Sequence, residues 1–260
     1  MITLTSKDNP HIKNAVKLKK SAKYRKQSGC FIAEGVRVCM DAYLSKAQIE
    51  AFFVTESAMD KNREDFKKLS EIAANTYLVS DSLFALISDT QTPQGFLCVI
   101  KRLDKSAEFD TIKNGGKFLA LENLQDPNNL GTILRSAEAF GVSGVIMSDD
   151  CCDIYNPKVV RGSMGAVFRL NIIETGSLPE FFEKKPQFNT YAAVVDSSAD
   201  KVTDVDFEEP CAVVIGNEGN GIRVETADAC RRRITIPMNG KAESLNASVA
   251  AAVLIWEMVK

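Results

Sequence analysis

The sequence contains a single histidine, His11, in 260 residues. That scarcity removes most of the support for imidazole-ligated metals and for a Ser-His-Asp triad, so no metal is expected. No apolar run approaches the roughly 18 residues that span a bilayer, which argues against a membrane partner. Residues 1–28 hold no apolar core of the signal-peptide kind, so export is not expected and the chain reads as cytoplasmic. Seven cysteines are scattered without a spaced framework. Cys151 and Cys152 are adjacent and belong to no C-x-x-C pair, which disfavours a zinc site. Cys30, Cys98 and Cys211 lie in apolar strand-like runs and read as buried thiols of a reducing compartment. The net charge is only −2, so the global charge does not announce a nucleic-acid binder.

What is present is a chain with 45% hydrophobic residues, enough to bury a core in two domains. Its basic residues are unevenly placed. Lys7, Lys13, Lys17, Lys19, Lys20, Lys23, Arg25 and Lys26 crowd the N-terminus with Asp8 as the only acid among them. Charges of one sign repel unless a polyanion is near, so this run is expected to meet RNA phosphates. Asn9-Pro10, a cap residue followed by a first-turn proline, opens a basic helix reaching Lys26. Strands at 30–35, 49–54, 77–79 and 95–100 and helices at 36–44, 64–74 and 81–87 complete a small α/β layer over 1–105. Glu34 and Arg37 are its best polar candidates, with structural pairing the favoured role. A polar linker ending in Asn114-Gly115-Gly116 is placed at 106–116.

The second part, 117–260, opens with the strand Lys117–Leu124, a polar turn, and a helix with Leu130, Ile133, Leu134, Ala137 and Phe140 on one face. A strand at Val145-Ile146 follows, giving the strand–helix–strand grammar of a parallel sheet. Asn129 sits in the turn after a strand and Arg135 is six positions on, where ligands of parallel α/β sheets bind. Asn156-Pro157 opens another helix, and Arg161 beyond it could meet a phosphate. The strand Cys211–Ile215 runs into Gly216-Asn-Glu-Gly-Asn-Gly221. A dinucleotide fingerprint would need a glycine at Val224, and no Lys-Ser/Thr pair follows for a P-loop. What remains is bare backbone with one carboxylate, Glu218, and one amide, Asn217. The last stretch has a strand ending at Ile236-Pro237, then Met238, Asn239 and Gly240, then a helix. Ser244 is read as its cap, and Leu245, Val249, Ala252, Val253 and Trp256 as its apolar face.

Three segments in order, Asn129-Leu-Gly-Thr-Ile-Leu-Arg135, Ile215-Gly-Asn-Glu-Gly-Asn-Gly221 and Ile236-Pro-Met through Ser244-Leu-Asn-Ala-Ser-Val-Ala-Ala251, resemble the SpoU (TrmH) family of S-adenosylmethionine-dependent RNA ribose 2′-O-methyltransferases. Residues 1–105 resemble the substrate-binding domain attached to many members, chiefly through Phe31-Ile-Ala-Glu-Gly35 and the strand 95–100. The resemblance implies an α/β fold whose C-terminal parallel-sheet domain is tied in a deep trefoil knot, beside a small ribosomal-protein-like α/β RNA-binding domain. It also implies a homodimer, for which Leu130, Ile133 and the last helix would offer apolar surface. S-adenosyl-L-methionine would be held at Gly216, Asn217, Ile236, Met238 and Leu245. Arg135 would govern the ribose hydroxyl, with Asn129, Glu218, Ser244 and Asn246 orienting it, the ribose and the methyl donor. Ribosomal RNA is favoured over transfer RNA because an added domain with a basic run suits a large structured RNA. The rival classes are a non-catalytic RNA-binding assembly factor and, more distantly, a nucleotide-dependent oxidoreductase.

Overall fold

Residues 1–103 and 115–260 are described by a computed structural model. The proposed linker 106–116 therefore lies outside the described residues except at Gly115 and Gly116. Contacts divide the chain into two units, one of residues 1–103 and 153–168, the other running up to Cys152 and from Arg169 to Lys260. The segment 153–168 thus groups with the first unit although it interrupts the second in sequence. Among the described residues no helix is long and apolar enough to cross a membrane.

The first unit is built on a five-stranded sheet of β1 (Ile2–Leu4), β2 (Cys30–Glu34), β3 (Ile49–Val54), β4 (Thr76–Val79) and β5 (Phe96–Lys101), in the order β1-β4-β3-β5-β2. β1, β4 and β3 are parallel, and β5 runs antiparallel to both its neighbours. The helix Pro10–Lys20 starts where expected, Asn9 Oδ1 accepting from the His11 amide at 2.9 Å. It buries Ile12, Ala15 and Leu18 against Phe53, Phe84 and Ile87. It does not reach Lys26. Ser21 adopts an extended backbone and caps a second helix, Ala22–Ser28, by accepting from the Tyr24 amide. A hydroxyl that can satisfy a free amide competes with helix continuation, and here it does so.

Two members of the basic run are structural. Arg25 is buried, its Nε 2.6 Å from Asp153 Oδ2 and its Nη1 donating to the Leu18 carbonyl at 2.7 Å. Lys19 Nζ donates to the carbonyls of Leu86 and Ser88 at 2.7 and 2.8 Å. Glu34 is a structural tie as well, accepting from the Asp89 amide and the hydroxyls of Ser88 and Thr90. Arg37 is exposed. Arg161 is held by Asp89 at 3.2 Å, so its guanidinium already has an anionic partner.

The second unit carries a seven-stranded, wholly parallel sheet: β6 (Lys117–Leu121), β7 (Gly144–Ser148), β8 (Ile172–Thr175), β9 (Asn189–Ala193), β10 (Asp200–Lys201), β11 (Cys211–Ile215) and β12 (Arg232–Thr235). Its order is β10-β12-β9-β11-β6-β7-β8. From β6 the chain lays β7 and β8 to one side, then crosses to build the other half, so the order reverses between β6 and β11. Crevices at such reversals, outside the carboxyl ends of the strands, are where parallel sheets bind ligands. β11 is buried at every residue, as a continuous apolar run covered on both faces should be.

The last helix, Ala247–Val259, packs on the helix Pro127–Ala139 and on β6 and β11. Two expectations about it are corrected. Its cap is Asn246, whose side chain accepts from the Ser248 amide, and Ser244 lies in the loop before it. Its buried residues are Ala247, Ala251, Leu254, Ile255 and Met258, while Val249 and Trp256 are half-exposed. The helix is apolar on nearly all sides, so periodicity alone does not say which face turns inward. Leu130 and Ile133, expected to offer outer surface, are fully buried. Cys98 and Cys211 are buried, as expected, and Cys30 is half-buried.

The Arg25–Asp153 pair yields a stability prediction. Arg25→Ala leaves a largely buried carboxylate unpaired and is expected to cost about 3–5 kcal/mol in urea unfolding. Arg25→Met with Asp153→Leu should recover most of that loss.

Candidate active site

Three strand ends and the approach to the last helix build one cleft. The chain leaving β9 contributes Val194 and Val195, and β11 runs through Ile215 into the turn 216–221. β12 ends at Thr235 and leads into Ile236 and Met238, and the approach to the last helix adds Ser244 and Leu245. Ala247, Ala250 and Leu254 of that helix form the floor of a cavity of ≈ 180 Å³. Its walls are largely aliphatic side chains and backbone, with the side chains of Asn217, Thr235 and Ser244, and among the described residues Glu218 is the only ionisable residue lining it. A Cβ at Gly216 would lie 2.1 Å from the Gly221 carbonyl carbon, so only glycine fits there. Asn217 and Gly221 exchange amide–carbonyl hydrogen bonds of 2.9 and 3.0 Å that pinch the turn shut.

Beside the cleft runs a chain of side-chain hydrogen bonds joining the three sequence segments. Asn246 Oδ1 accepts from the amide and hydroxyl of Ser248, leaving its Nδ2 to donate to Asn129 Oδ1 at 3.1 Å. Asn129 Nδ2 then donates to Glu218 Oε1, also at 3.1 Å. An ionised carboxylate only accepts, so the direction of every bond in this chain is fixed from both ends. Glu218 also accepts from the amides of Gln125 (3.2 Å) and Asp126 (3.0 Å). Burial acts to raise its pKa, but the Asn129 amide and the backbone N–H groups of Asp126, Glu218 and Gln125 outweigh it and hold the carboxyl below its ordinary value.

The helix Pro127–Ala139 positions Asn129. Asp126 caps it by accepting from the Asn128 amide at 2.9 Å, and Pro127 occupies its first position. Asn129 is buried one residue before the apolar face begins. Arg135, on the same helix, is exposed and makes no hydrogen bond or ion pair among the described residues. It does not line the cleft of its own chain.

Of the residues singled out by sequence, Gly216, Asn217, Glu218, Ile236, Met238, Ser244 and Leu245 line the cleft together. Asn129 and Asn246 meet in the polar chain beside it, and Arg135 stands apart from both. The Asn217 side chain shapes the turn, accepting from the amides of Gly219 and Asn220 and donating to the Asn123 carbonyl. Sequence reading overlooked the amides of Gln125 and Asp126, which carry no side-chain signature. It also overlooked buried Glu122 at the end of β6, which accepts from the Arg223 amide at 2.7 Å and the Thr226 hydroxyl. Among the described residues no group of three or more His, Cys, Asp or Glu side chains is placed to hold a metal ion.

Known proteins resemble this chain over nearly its whole length. Residues 9–98 match the MRM3-like substrate binding domain. An uncharacterised tRNA/rRNA methyltransferase of Synechocystis is 32% identical, the alignment covering 98% of this chain and 92% of that protein. A 23S rRNA guanosine 2′-O-methyltransferase of Bacillus subtilis is 26% identical over 99% of each. The AdoMet-bound crystal structure of an rRNA methyltransferase from Sinorhizobium meliloti superposes with a TM-score of 0.86 at 26% identity, covering 98% of this chain and 96% of that one. Residues 116–256, which hold the cleft and its polar chain, match the SpoU rRNA Methylase family, and the chain belongs to that family.

Proposed function

We propose that this protein methylates a ribose 2′-hydroxyl of ribosomal RNA with S-adenosyl-L-methionine as donor. The observation that carries the reading is the Asn246–Asn129–Glu218 chain set against an otherwise uncharged cleft. The cleft suits the donor. Strand-end backbone at Gly216, Ile236 and Leu245 offers amides and carbonyls to a purine, and aliphatic walls from Val194, Ile215 and Leu254 would cover it. A carboxylate kept ionised at Glu218 favours a cationic ligand over a neutral one. When bound, the donor supplies a methyl group already made electrophilic by its sulfonium.

The chain's own task is then to orient the ribose oxygen and stabilise the negative charge it gains. Arg135 is suited to both, because a guanidinium grips a phosphate bidentately and has no lone pair with which to act as base. Ser244 sits at the mouth of the cleft with a hydroxyl free to rotate towards the ribose. Asn129, Asn246 and Glu218 hold the segments carrying these groups in register.

A homodimer fits the outer surface. Trp256 is 53% and Val249 50% exposed, and Phe140 packs edge-on against Trp256 with ring centroids 5.7 Å apart. Such an apolar strip on a single chain marks an interaction face. Arg135 lies on the helix that ends at Phe140's neighbour, so pairing there would bring it near a subunit interface. The N-terminal unit is the RNA-binding part in this reading, which places the enzyme in the cytoplasm with its substrate.

Three tests follow from these assignments. Arg135→Lys keeps the charge but loses the planar fork, and the single-turnover methylation rate is expected to fall on the order of 10²-fold with donor affinity unchanged. A wild-type rate that rises steeply with pH, and a Lys variant that lacks the rise, would show instead that Arg135 acts as a base. For Glu218 the lowered pKa sets the sign. Its contribution to stability is fully present above the ordinary carboxylate pKa of about 4.3 and is lost as pH falls through its lower folded value. Calorimetric titration of the donor should therefore weaken in acid for the wild type, whereas Glu218→Gln should bind weakly at every pH. Trp256→Asp is expected to convert a dimer to a monomer in light scattering.

A further inference from the structure

The basic run of the first unit is resolved by the structure into groups with different tasks. Arg25 and Lys19 are tied to the protein's own carboxylate and carbonyls. Four of the others, Lys7, Lys13, Lys17 and Lys20, line a single groove between the helix Pro10–Lys20 and the helix Asp81–Ile87, with exposed Leu86 on its far side. Residues 7–26 hold eight of the chain's 32 basic residues and one of its 34 acidic ones. The rest of the chain is left with 24 basic against 33 acidic residues, a net −9. A quarter of the basic residues of an acidic protein thus lie in one short segment with a single acid.

The fold accounts for only part of this placement. Lys17, Lys19 and Lys20 fall in the last turn of their helix, where cations complement the dipole. Lys7 and Lys13 sit at the opposite end, where cations are disfavoured and where the first turn has no acid. Lys13 and Lys17 are an i, i+4 pair of like charge, which is destabilising by itself. Inside the protein these charges find little relief. Asp8 pairs with Lys13 at 2.8 Å, both side chains being largely solvated. Lys17 lies over the Tyr24 ring at 5.4 Å, and Lys7 and Lys20 form no ion pair among the described residues.

We propose that this groove is a docking track for the sugar-phosphate backbone of the RNA, with Lys7, Lys13, Lys17 and Lys20 each neutralising a phosphate. It rests on the ribosomal RNA reading and extends it by naming the residues that hold the backbone. Lys13, Lys17 and Lys20 follow one helical stripe, and the groove they share with Lys7, Asp8 and Leu86 holds no carboxamide or aromatic side chain among the described residues, which suits phosphates and carries no base readout. The track thus supplies affinity and register, and leaves choice of nucleotide to other contacts.

The test is the salt dependence of binding. A 23S rRNA transcript is titrated with the full chain by filter binding at several KCl concentrations, for wild type and for a variant combining Lys7→Gln, Lys13→Gln, Lys17→Gln and Lys20→Gln. Each lost phosphate contact should lower the slope of log K against log salt by about one, so the slope should fall by about three to four and the affinity at physiological salt by at least roughly tenfold. Lys67→Gln with Lys68→Gln, two exposed lysines on the helix Arg63–Ile72, should leave the slope unchanged. S-adenosylmethionine affinity on the same preparations reports that the fold and the cleft are intact. An unchanged slope in the fourfold variant of a wild type that binds and methylates the transcript overturns the track, leaving an acidic protein surface as the groove's occupant and the function standing. A wild type that binds the donor but neither binds nor methylates RNA overturns both.

Discussion

The second unit depends on one buried carboxamide. Asn129 donates to Glu218 and accepts from Asn246, and so joins the ends of β6 and β11 to the cap of the last helix. Its two sides are not interchangeable. The carboxylate can only accept, and the cap's oxygen is already used by the first turn of its helix, so only an amide reads correctly in both directions. An aspartate of the same shape would set two carboxylates face to face, and a leucine would take one partner each from Glu218 and Asn246. The cleft takes its shape from this junction, because its walls belong to the segments it holds.

The last helix shows how function shapes an element that sequence would treat as ordinary core. Ala247 and Ala251 face inward and let the helix lie close on β6, β11 and the helix Pro127–Ala139, where larger side chains would hold it off. Its bulkiest residue, Trp256, faces outward against Phe140. Leu254, Ile255 and Met258 are buried beside these alanines, while Val249 and Trp256 stay exposed as an apolar strip of the kind that marks an interaction face.

Several charged groups buried elsewhere in the protein are likewise matched by partners. Glu34 closes the loop 88–90 of the first unit, Arg25 is matched by Asp153 and the Leu18 carbonyl, and Glu122 gathers the amide of Arg223 and the hydroxyl of Thr226. Each is a charge that would be costly alone and instead fixes where a loop or helix end must lie. Among the described residues the exposed lysines of the first helix meet only solvated Asp8, beside Lys13, and the Tyr24 ring, beside Lys17, which distinguishes surface charge with a task outside the chain from charge spent on the fold.

Much of this was legible in the amino-acid sequence. Asn9-Pro10 and Asn156-Pro157 each open a helix where a cap residue precedes a first-turn proline, and Cys211–Ile215 is a strand as its apolar run requires, whereas the stretch after Asp126, read as a polar turn holding Asn129, is already helix from Pro127. The three polar segments that meet at the cleft could be named because each follows a strand, and parallel strands deliver their ends to one side of a sheet. Other features were decided only by tertiary structure. Ser21 and Asn246 both outcompete neighbouring choices for a cap, and that competition depends on which amides the surrounding fold leaves free. The direction of the last helix's buried face was undecidable from a helix apolar all round. The fates of Arg25 and Lys17, two basic residues on one run, parted because one meets Asp153, far away in the chain, and the other meets water. Sequence specifies which groups can form hydrogen bonds and which elements can form; which groups find one another across a hundred residues is settled by packing alone.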